Sequence, residues 1–220
     1  MQLKAAIFDI DGTLLDTEGL QYLSWLEVLK PFGVSFTEEE YADYVGKSTT
    51  LVERELVNRY GIGLKEEGSL AKPKKELVMR WFEERPIPFM PYARKAMDYL
   101  RGRGVSLAAA SNNSSAETTL KLFRKGILRY FSRISTRNDV ERGKPYPDIY
   151  LHAASALGFE KEEMIAAEDT EYGVESAHSA GIFTCAIPNK YTVKQDFSKA
   201  DMKFRDLKHL VGWAAEAYNL

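Results

Sequence analysis

In the segment Ala5-Ala-Ile-Phe-Asp-Ile-Asp-Gly-Thr13, the apolar run Ala5–Phe8 is followed by two acidic residues, Asp9 directly and Asp11 two residues later. A run of this length without polar alternation is typical of a strand that is buried on both faces of a sheet. Two carboxylates at positions i and i+2 leave a strand on the same side, and Gly12 allows the chain to turn sharply after them. The segment therefore predicts a buried strand that delivers Asp9 and Asp11 to one place.

Three further apolar runs have the same form, and a helical pattern follows each of the four. We predict strands over Leu3–Phe8, Val105–Ala110, Met164–Ala167 and Ile182–Ile187. We predict helices over Glu18–Leu29, Ala116–Arg124, Glu171–Ala180 and Val193–Lys199. Buried strands that alternate with helices indicate an α/β fold with a Rossmann-like parallel sheet that is covered on both faces.

Polar residues follow three of these strands at the point where each strand ends. They are Asp9 and Asp11 after the first, Ser111 and Asn112 after the second, and Glu168 and Asp169 after the third. In parallel sheets of this kind, ligands bind beyond the carboxyl ends of the strands. We therefore expect these six side chains to form one site.

Between the first and second predicted strands the sequence has only helical periodicity. The helical stretches cover Glu18–Leu29, Thr37–Val45, Thr49–Tyr60 and Lys74–Glu84, and Pro86, Pro88 and Pro91 follow them. A helical block inserted here is positioned to cover the carboxyl end of the first strand. We predict a core domain of residues 1–16 and 87–220 and a small all-helical cap domain of residues 17–86.

The composition is that of a globular protein, with 30 basic and 32 acidic residues among 220 and a formal charge of −2. This balance does not indicate nucleic acid or a membrane as a partner. The single cysteine, Cys185, cannot form an internal disulfide, and the sequence has neither a signal-like segment nor an apolar run long enough to span a membrane. We expect a cytoplasmic location; the oligomeric state stays open.

The acidic motif has two simpler interpretations. In a calcium-binding loop the glycine would stand sixth and a glutamate would close twelve residues, whereas Gly12 stands fourth and no glutamate closes the loop. In a plain acidic turn, Asp16 would cap the helix that follows.

Asp9-Ile-Asp-Gly-Thr13 resembles the first motif of the haloacid dehalogenase superfamily. Three further matches follow in order: Ser111 to the second motif, Lys144 within Arg142-Gly-Lys-Pro-Tyr-Pro-Asp148 to the third, and Glu168-Asp169 to the fourth. The likeness extends over essentially the whole chain. It is strongest to the β-phosphoglucomutase-like sugar phosphatases, which have a helical cap.

Phosphoryl transfer gives these positions physical roles. Asp9 is the expected nucleophile, which would form an aspartyl-phosphate. Lys144 would supply positive charge to the nucleophile and to the transferring group. Ser111, with the neighbouring backbone N–H groups and Asn112, would hold phosphoryl oxygens.

A hard divalent cation would offset the charge of the clustered acids, and an all-oxygen ligand set suits Mg²⁺. We assign this ion to the carboxylates of Asp9, Asp169 and Glu168 and to the backbone carbonyl of Asp11, and the resemblance supports the set. The Asp11 carboxylate would then be free to protonate the leaving oxygen and later to activate water.

These roles predict a Mg²⁺-dependent phosphatase that acts on a small phosphorylated metabolite, with a sugar phosphate favoured by the resemblance. The alternative is a β-phosphoglucomutase, which grips a second phosphate through an arginine of the cap loop. Thr49 stands where that arginine is expected, although Lys47, next to Gly46 in the same loop, could replace it and contact substrate. A non-catalytic scaffold is a remote third possibility, because a fold alone does not establish a function.

Overall fold

A six-stranded parallel sheet forms the centre of the computed structural model, which describes residues 2–64 and 66–220. Its strands are β1 (Ala5–Phe8), β2 (Ser106–Ala110), β3 (Phe131–Ser135), β4 (Met164–Glu168), β5 (Phe183–Ala186) and β6 (Met202–Lys203). They lie in the order β3-β2-β1-β4-β5-β6, and all neighbours pair in parallel. The predicted α/β fold is therefore confirmed, with the first strand in the middle of the sheet.

Besides the sheet strands, the described residues form α-helices. They are α1 (Glu18–Leu29), α2 (Glu38–Tyr41), α3 (Thr49–Tyr60), α4 (Ala71–Glu84), α5 (Ala93–Gly102), α6 (Ser115–Arg124), α7 (Asp148–Leu157), α8 (Glu171–Ser179) and α9 (Leu207–Tyr218). Alternate residues of β1 point to opposite faces, so Phe8 packs in a cluster with α5 and α9, and Ile7 in a cluster with α7 and α8. No helix in the described part of the chain is long and apolar enough to span a membrane.

The sequence missed two strands at the sheet edges and placed one helix wrongly. Strand β3 is only partly buried and carries Ser132 and Arg133, so it lacks the continuous apolar run that identified the others. Strand β6 has only two residues. The prediction of a helix over Val193–Lys199 was wrong, because this segment forms turns whose Lys194 and Gln195 contact the predicted cap.

Residues 17–86, called the cap segment below, contain helices and no strands among the residues described. Residues of this segment form a hydrophobic cluster that includes Trp25, Phe36, Tyr44 and Leu56, and Tyr191 from outside the segment also belongs to it. The two connections to the core run side by side: Leu15 forms a bridge with Phe89, and backbone hydrogen bonds flank it. The division into a core domain and a cap domain stays a proposal; Met1 of the former and Lys65 of the latter lie outside the described residues.

The interpretation of Asp16 as a helix cap was wrong. Helix α1 is preceded by Thr17 at its N-cap, and no side chain caps its first turn. The Thr17 hydroxyl instead donates a hydrogen bond to the Asp11 carboxylate. The start of the cap segment is thus tied directly to the acidic motif.

Gly173, in the first turn of α8, lies against the carboxylate of Glu168, and a Cβ at this position would collide with it. That carboxylate is fixed by Lys144 and by the Tyr150 hydroxyl, so it cannot move aside without losing these bonds. We expect Gly173→Ala to lower the free energy of unfolding by about 1–3 kcal/mol, as overpacking does. Urea and thermal unfolding followed by circular dichroism would measure the change.

Gly212→Ala provides a matched control, since Gly212 is also helical but a Cβ there would meet no atom within 4 Å. The loss of chain entropy in the unfolded state should make this variant more stable by roughly 0.5–1 kcal/mol. Equal unfolding curves for the two variants would contradict the close packing of α8 on Glu168.

Candidate active site

Three carboxylates meet where β1 and β4 end side by side. Asp9 follows β1, Glu168 ends β4 and Asp169 follows it, and the pairing of Phe8 with Ala167 brings the two strand ends level. One oxygen of each of these three carboxylates lies within 4.8 Å of the others, and all three residues are buried. The cluster expected from the sequence is therefore present.

Lys144 joins two of these acids. Its Nζ lies 2.6 Å from Oδ1 of Asp9 and 2.5 Å from Oε1 of Glu168, and it donates a third hydrogen bond to the Ala110 carbonyl at 2.8 Å. Only 4% of its side chain is exposed, so it is not an ordinary surface lysine. The ammonium group faces the nucleophile candidate, as the sequence-based assignment requires.

Asp169 is held by two residues that the sequence did not single out. Thr13 Oγ1 donates to its Oδ1 at 3.0 Å, and Asn189 Nδ2 donates to its Oδ2 at 2.8 Å. Thr13 belongs to the first motif, but Asn189 lies in the loop after β5, 20 residues beyond Asp169. Both bonds fix the orientation of the carboxylate toward Asp9.

The electrostatics of the cluster favour a bound cation. Burial raises the pKa of Asp9 well above its usual range; Lys144 opposes this, and neighbouring Glu168 adds to it. Burial, followed by the charges of Asp9 and Glu168, likewise raises the pKa of Asp169. One ammonium group cannot balance three carboxylates, whereas an oxygen-only set of this kind suits a hard divalent ion. The residues present therefore fit Mg²⁺.

The Asp11 carboxylate does not belong to this cluster. Lys121 Nζ lies 2.7 Å from its Oδ1 and 2.6 Å from its Oδ2, and Asn113 Nδ2 donates to Oδ2 at 2.7 Å. This arrangement agrees with the assignment of only the Asp11 backbone carbonyl to a metal. Lys121 was missed, because a lysine spaced four residues from Glu117 on a helix normally indicates a surface pair.

Ser111 and Asn112 form the loop between β2 and α6. Ser111 is buried, and its Oγ accepts a hydrogen bond from the Asn113 backbone N–H at 3.2 Å. Asn112 Oδ1 accepts from the Lys144 backbone N–H at 2.9 Å, and its Nδ2 donates to the Lys144 carbonyl at 3.4 Å. The Asn112 side chain thus holds the Lys144 loop, while the substrate-binding roles of both residues stay predictions.

A cavity of about 100 Å³ lies between the acidic residues and the cap segment. Its core side includes Asp9, Asp11, Ser111, Asn112, Asn113 and Lys144, and its cap side includes Glu18, Gln21, Trp25, Tyr41, Gly46, Lys47 and Lys74. The cap loop therefore faces the site, with Gly46 placed against Thr170 of the core. Lys47 Nζ, however, is paired with Glu55 at 2.7 Å, so its charge is already partly balanced.

Glu18 and Lys74 are buried ionisable residues of the cap side that the sequence did not reveal. Glu18 accepts a hydrogen bond from the Tyr41 hydroxyl at 2.7 Å, and burial raises its pKa to about 7. Lys74 donates to the side-chain oxygen of Gln21, and burial lowers its pKa to about 8. Because both groups line the cavity, they can contact a substrate through neutral or charged forms near neutral pH.

A wider chamber of about 640 Å³ adjoins this cavity. Lys47, Thr49, Asn112, Asn113 and Lys144 line both spaces, and the outer part is lined by Lys75, Arg137, Glu141 and Arg142, among others. The inner cavity is several times smaller than this chamber. A larger substrate would extend into the chamber.

The chain is similar to several known proteins over most of its length. Protein CbbY of Rhodobacter capsulatus is 30% identical over 216 residues, which cover 94% of this chain and 95% of that protein. A phosphorylated carbohydrates phosphatase of Thermotoga maritima is 32% identical over 183 residues, 82% of each chain. The crystal structure of a mutant CbbY from Rhodobacter sphaeroides in complex with xylulose-(1,5)bisphosphate has a TM-score of 0.82 at 25% identity, covering 95% of this chain and 96% of that one.

The family described as haloacid dehalogenase-like hydrolase matches residues 6–187. This range begins in β1 and ends just after β5, so it includes all four motifs and the whole cap segment. The resemblance inferred from the motifs is confirmed, and the chain belongs to the haloacid dehalogenase-like hydrolase family.

Proposed function

We propose that this hydrolase is a Mg²⁺-dependent phosphatase that removes the phosphoryl group of a small sugar phosphate through an aspartyl-phosphate on Asp9. The observation that carries the proposal is the placement of Asp9. Its carboxylate contacts Lys144, lies beside Glu168 and Asp169, and faces a cavity that Asp11 also lines. A nucleophile, a proton-transfer group and a fixed positive charge thus surround one small space.

In the first step, an oxygen of Asp9 attacks phosphorus, and the bond between phosphorus and the ester oxygen breaks. The leaving oxygen takes a proton from Asp11 and departs as an alcohol. In the second step, Asp11 takes a proton from a water molecule, and the water oxygen attacks the phosphorus of phospho-Asp9. Inorganic phosphate is released and the Asp9 carboxylate is restored.

Charge stabilisation accompanies both steps. Lys144 lies close enough to Asp9 to neutralise negative charge that develops on the phosphoryl oxygens. Asp9, Glu168, Asp169 and the Asp11 carbonyl would hold Mg²⁺, which when bound would offset carboxylate charge and polarise the phosphoryl group. Backbone N–H groups next to Ser111 would bind the remaining phosphoryl oxygens.

Hydrolysis is favoured over mutase chemistry by the state of the cap loop. Thr49 is uncharged, and Lys47 is paired with Glu55. A second phosphate would therefore have to compete with Glu55 for the Lys47 ammonium group. The name of the Thermotoga maritima relative, a phosphorylated carbohydrates phosphatase, supports a sugar phosphate as substrate.

The cap side of the cavity would contact the alcohol part of the ester. Glu18, Gln21, Tyr41 and Lys74 offer hydrogen-bond donors and acceptors there, which suits a leaving group with several hydroxyls. Entry would require the cap segment to move away from the core, as lids do in other enzymes.

A panel of phosphorylated metabolites, assayed with Mg²⁺ for released phosphate, tests the proposal. We expect the highest kcat/KM with a sugar phosphate and at least a 1000-fold loss of turnover in Asp9→Asn, because the amide cannot act as nucleophile. Exposed Asp196→Asn should behave as wild type.

The same panel distinguishes the mutase. Wild-type protein incubated with β-glucose 1-phosphate and glucose 1,6-bisphosphate should release phosphate faster than it forms the 6-phosphate isomer. Faster isomerisation would replace the phosphatase proposal by the mutase. Full activity of Asp9→Asn would exclude the aspartyl-phosphate.

Metal dependence is a separate expectation. Removal of divalent ions with EDTA should abolish activity, Mg²⁺ should restore it, and Ca²⁺ should restore little, because its looser coordination does not enforce in-line attack. Mg²⁺ should also raise the Tm of wild-type protein, as a ligand of the folded state does, but not that of Asp169→Asn. Undiminished activity in metal-free buffer would contradict the assignment.

The pKa of Glu18 gives a pH dependence of stability. Folding raises this pKa from 4.5 to about 7, so the folded state holds a proton that the unfolded state loses above pH 4.5. The contribution of Glu18 to the free energy of unfolding is complete below pH 4.5. This contribution falls by an amount on the order of 3 kcal/mol as the pH rises toward 7. We expect the free energy of unfolding of wild type, minus that of Glu18→Gln, to fall between pH 5 and pH 7.

Urea unfolding at several pH values measures this difference. A constant difference for Glu18→Gln would show that Glu18 is ionised in the folded protein at pH 5.

A further inference from the structure

Lys121 is a buried cation that the proposed chemistry does not use. It lies in the second half of α6, and none of its side chain is exposed. Its Nζ contacts both oxygens of Asp11, at 2.7 and 2.6 Å, and Oε1 of Glu117 at 3.0 Å. Burial of an ammonium group is costly unless it is well paired, so this position requires its two acidic partners.

These contacts fix the orientation of Asp11. Thr17 and Lys121 donate to Oδ1, while Asn113 and Lys121 donate to Oδ2. Lys121 is the only one of the three donors that contacts both oxygens, and it carries the only charge among them. The plane of the Asp11 carboxylate is therefore set mainly by Lys121.

Lys121 does not line the inner cavity or the adjoining chamber in the described structure, whereas Lys144 and Lys74 line the inner cavity. A cation that bound the phosphoryl group directly would have to reach that space. Lys121 is shielded from it by Asp11 and by Glu117, and the ring of Phe82 from the cap segment lies 5.1 Å from its Nζ. Its influence on the reaction must therefore pass through Asp11.

We propose that Lys121 is the positioning residue that holds the Asp11 carboxylate for proton transfer to and from the ester oxygen. This inference rests on the acid–base role given to Asp11 in the proposed function. The inference gives α6 two contributions to the reaction: the binding of phosphate at its N-terminus and the orientation of Asp11 by Lys121. Lys121 orients the group that moves the proton and does not itself touch the substrate.

A series of phosphate monoesters tests the inference. The series runs from 2,4-dinitrophenyl phosphate, whose leaving group departs without a proton, through phenyl phosphate to an alkyl phosphate, which needs one. The quantity measured is kcat/KM, which includes only the steps up to release of the alcohol. Wild type, Asp11→Asn, Lys121→Met and the double variant are compared.

We expect Asp11→Asn to lose about 100-fold or more on the alkyl ester and far less on the dinitrophenyl ester. Lys121→Met should show the same dependence on the leaving group, with a loss on the alkyl ester at least 10-fold greater than on the dinitrophenyl ester. The double variant should match Asp11→Asn, because Lys121 acts only through Asp11. Lys95→Met, the same change at an exposed lysine of α5, should leave all rates unchanged.

Other outcomes overturn the inference. An equal loss on every ester in Lys121→Met, or a weaker inhibition by inorganic phosphate, would assign Lys121 to phosphate binding or to structure alone. A further loss in the double variant would show that it acts independently of Asp11. If Asp11→Asn itself shows no dependence on the leaving group, the acid–base role of Asp11 fails, and the role of Lys121 fails with it.

Loss of Lys121 leaves Glu117 buried without its cation, so Lys121→Met has to be checked for folding by circular dichroism and by its Tm. If it does not fold, the variant Glu117→Gln/Lys121→Met removes the unpaired acid and takes its place in the series. The same dependence on the leaving group is then expected, and an equal loss on every ester again overturns the inference.

Discussion

Electrostatic repulsion among three buried carboxylates is the constraint on which the rest of the site depends. The parallel pairing of β1 with β4 forces Asp9, Glu168 and Asp169 together, because both strands end at the same level. Each acid is then held from outside the cluster: Lys144 and Tyr150 bind Glu168, and Thr13 and Asn189 bind Asp169. These donors come from four separate segments, which explains why most of the core must fold before the cluster exists.

Asp9 and Asp11 are two residues apart, yet they have different electrostatic surroundings. Asp9 faces Lys144 and the acids Glu168 and Asp169, while Asp11 faces Lys121 and two neutral donors. A nucleophile must stay ionised, whereas a proton-transfer group must change its state during turnover. Separate lysines, from the loop before α7 and from α6, allow the protein to treat the two carboxylates differently.

From the sequence we could predict the polar residues that follow the ends of strands. The sequence does not reveal charged residues whose one unusual property is that they are buried. Asp9, Asp11, Lys144 and Asp169 were predicted as site residues because each follows an apolar run or stands in a family motif. Glu18, Lys74 and Lys121 were missed, because in the sequence they have the pattern of ordinary charged residues of amphipathic helices. Their burial results from contact between the cap segment and α6, which no local pattern encodes. Strand β3 was missed for the related reason that it lies at a partly exposed edge.

The paired connections at Leu15 and Phe89 mean that the cap segment enters and leaves the core at a single point. The whole segment lies between β1 and α5, and its described residues add no strand to the sheet. Such an arrangement is modular: the clustered acids lie outside the cap segment, and the side chains on the opposite side of the cavity lie within it. Natural variation can therefore change which ester is accepted without disturbing how its phosphoryl group is transferred.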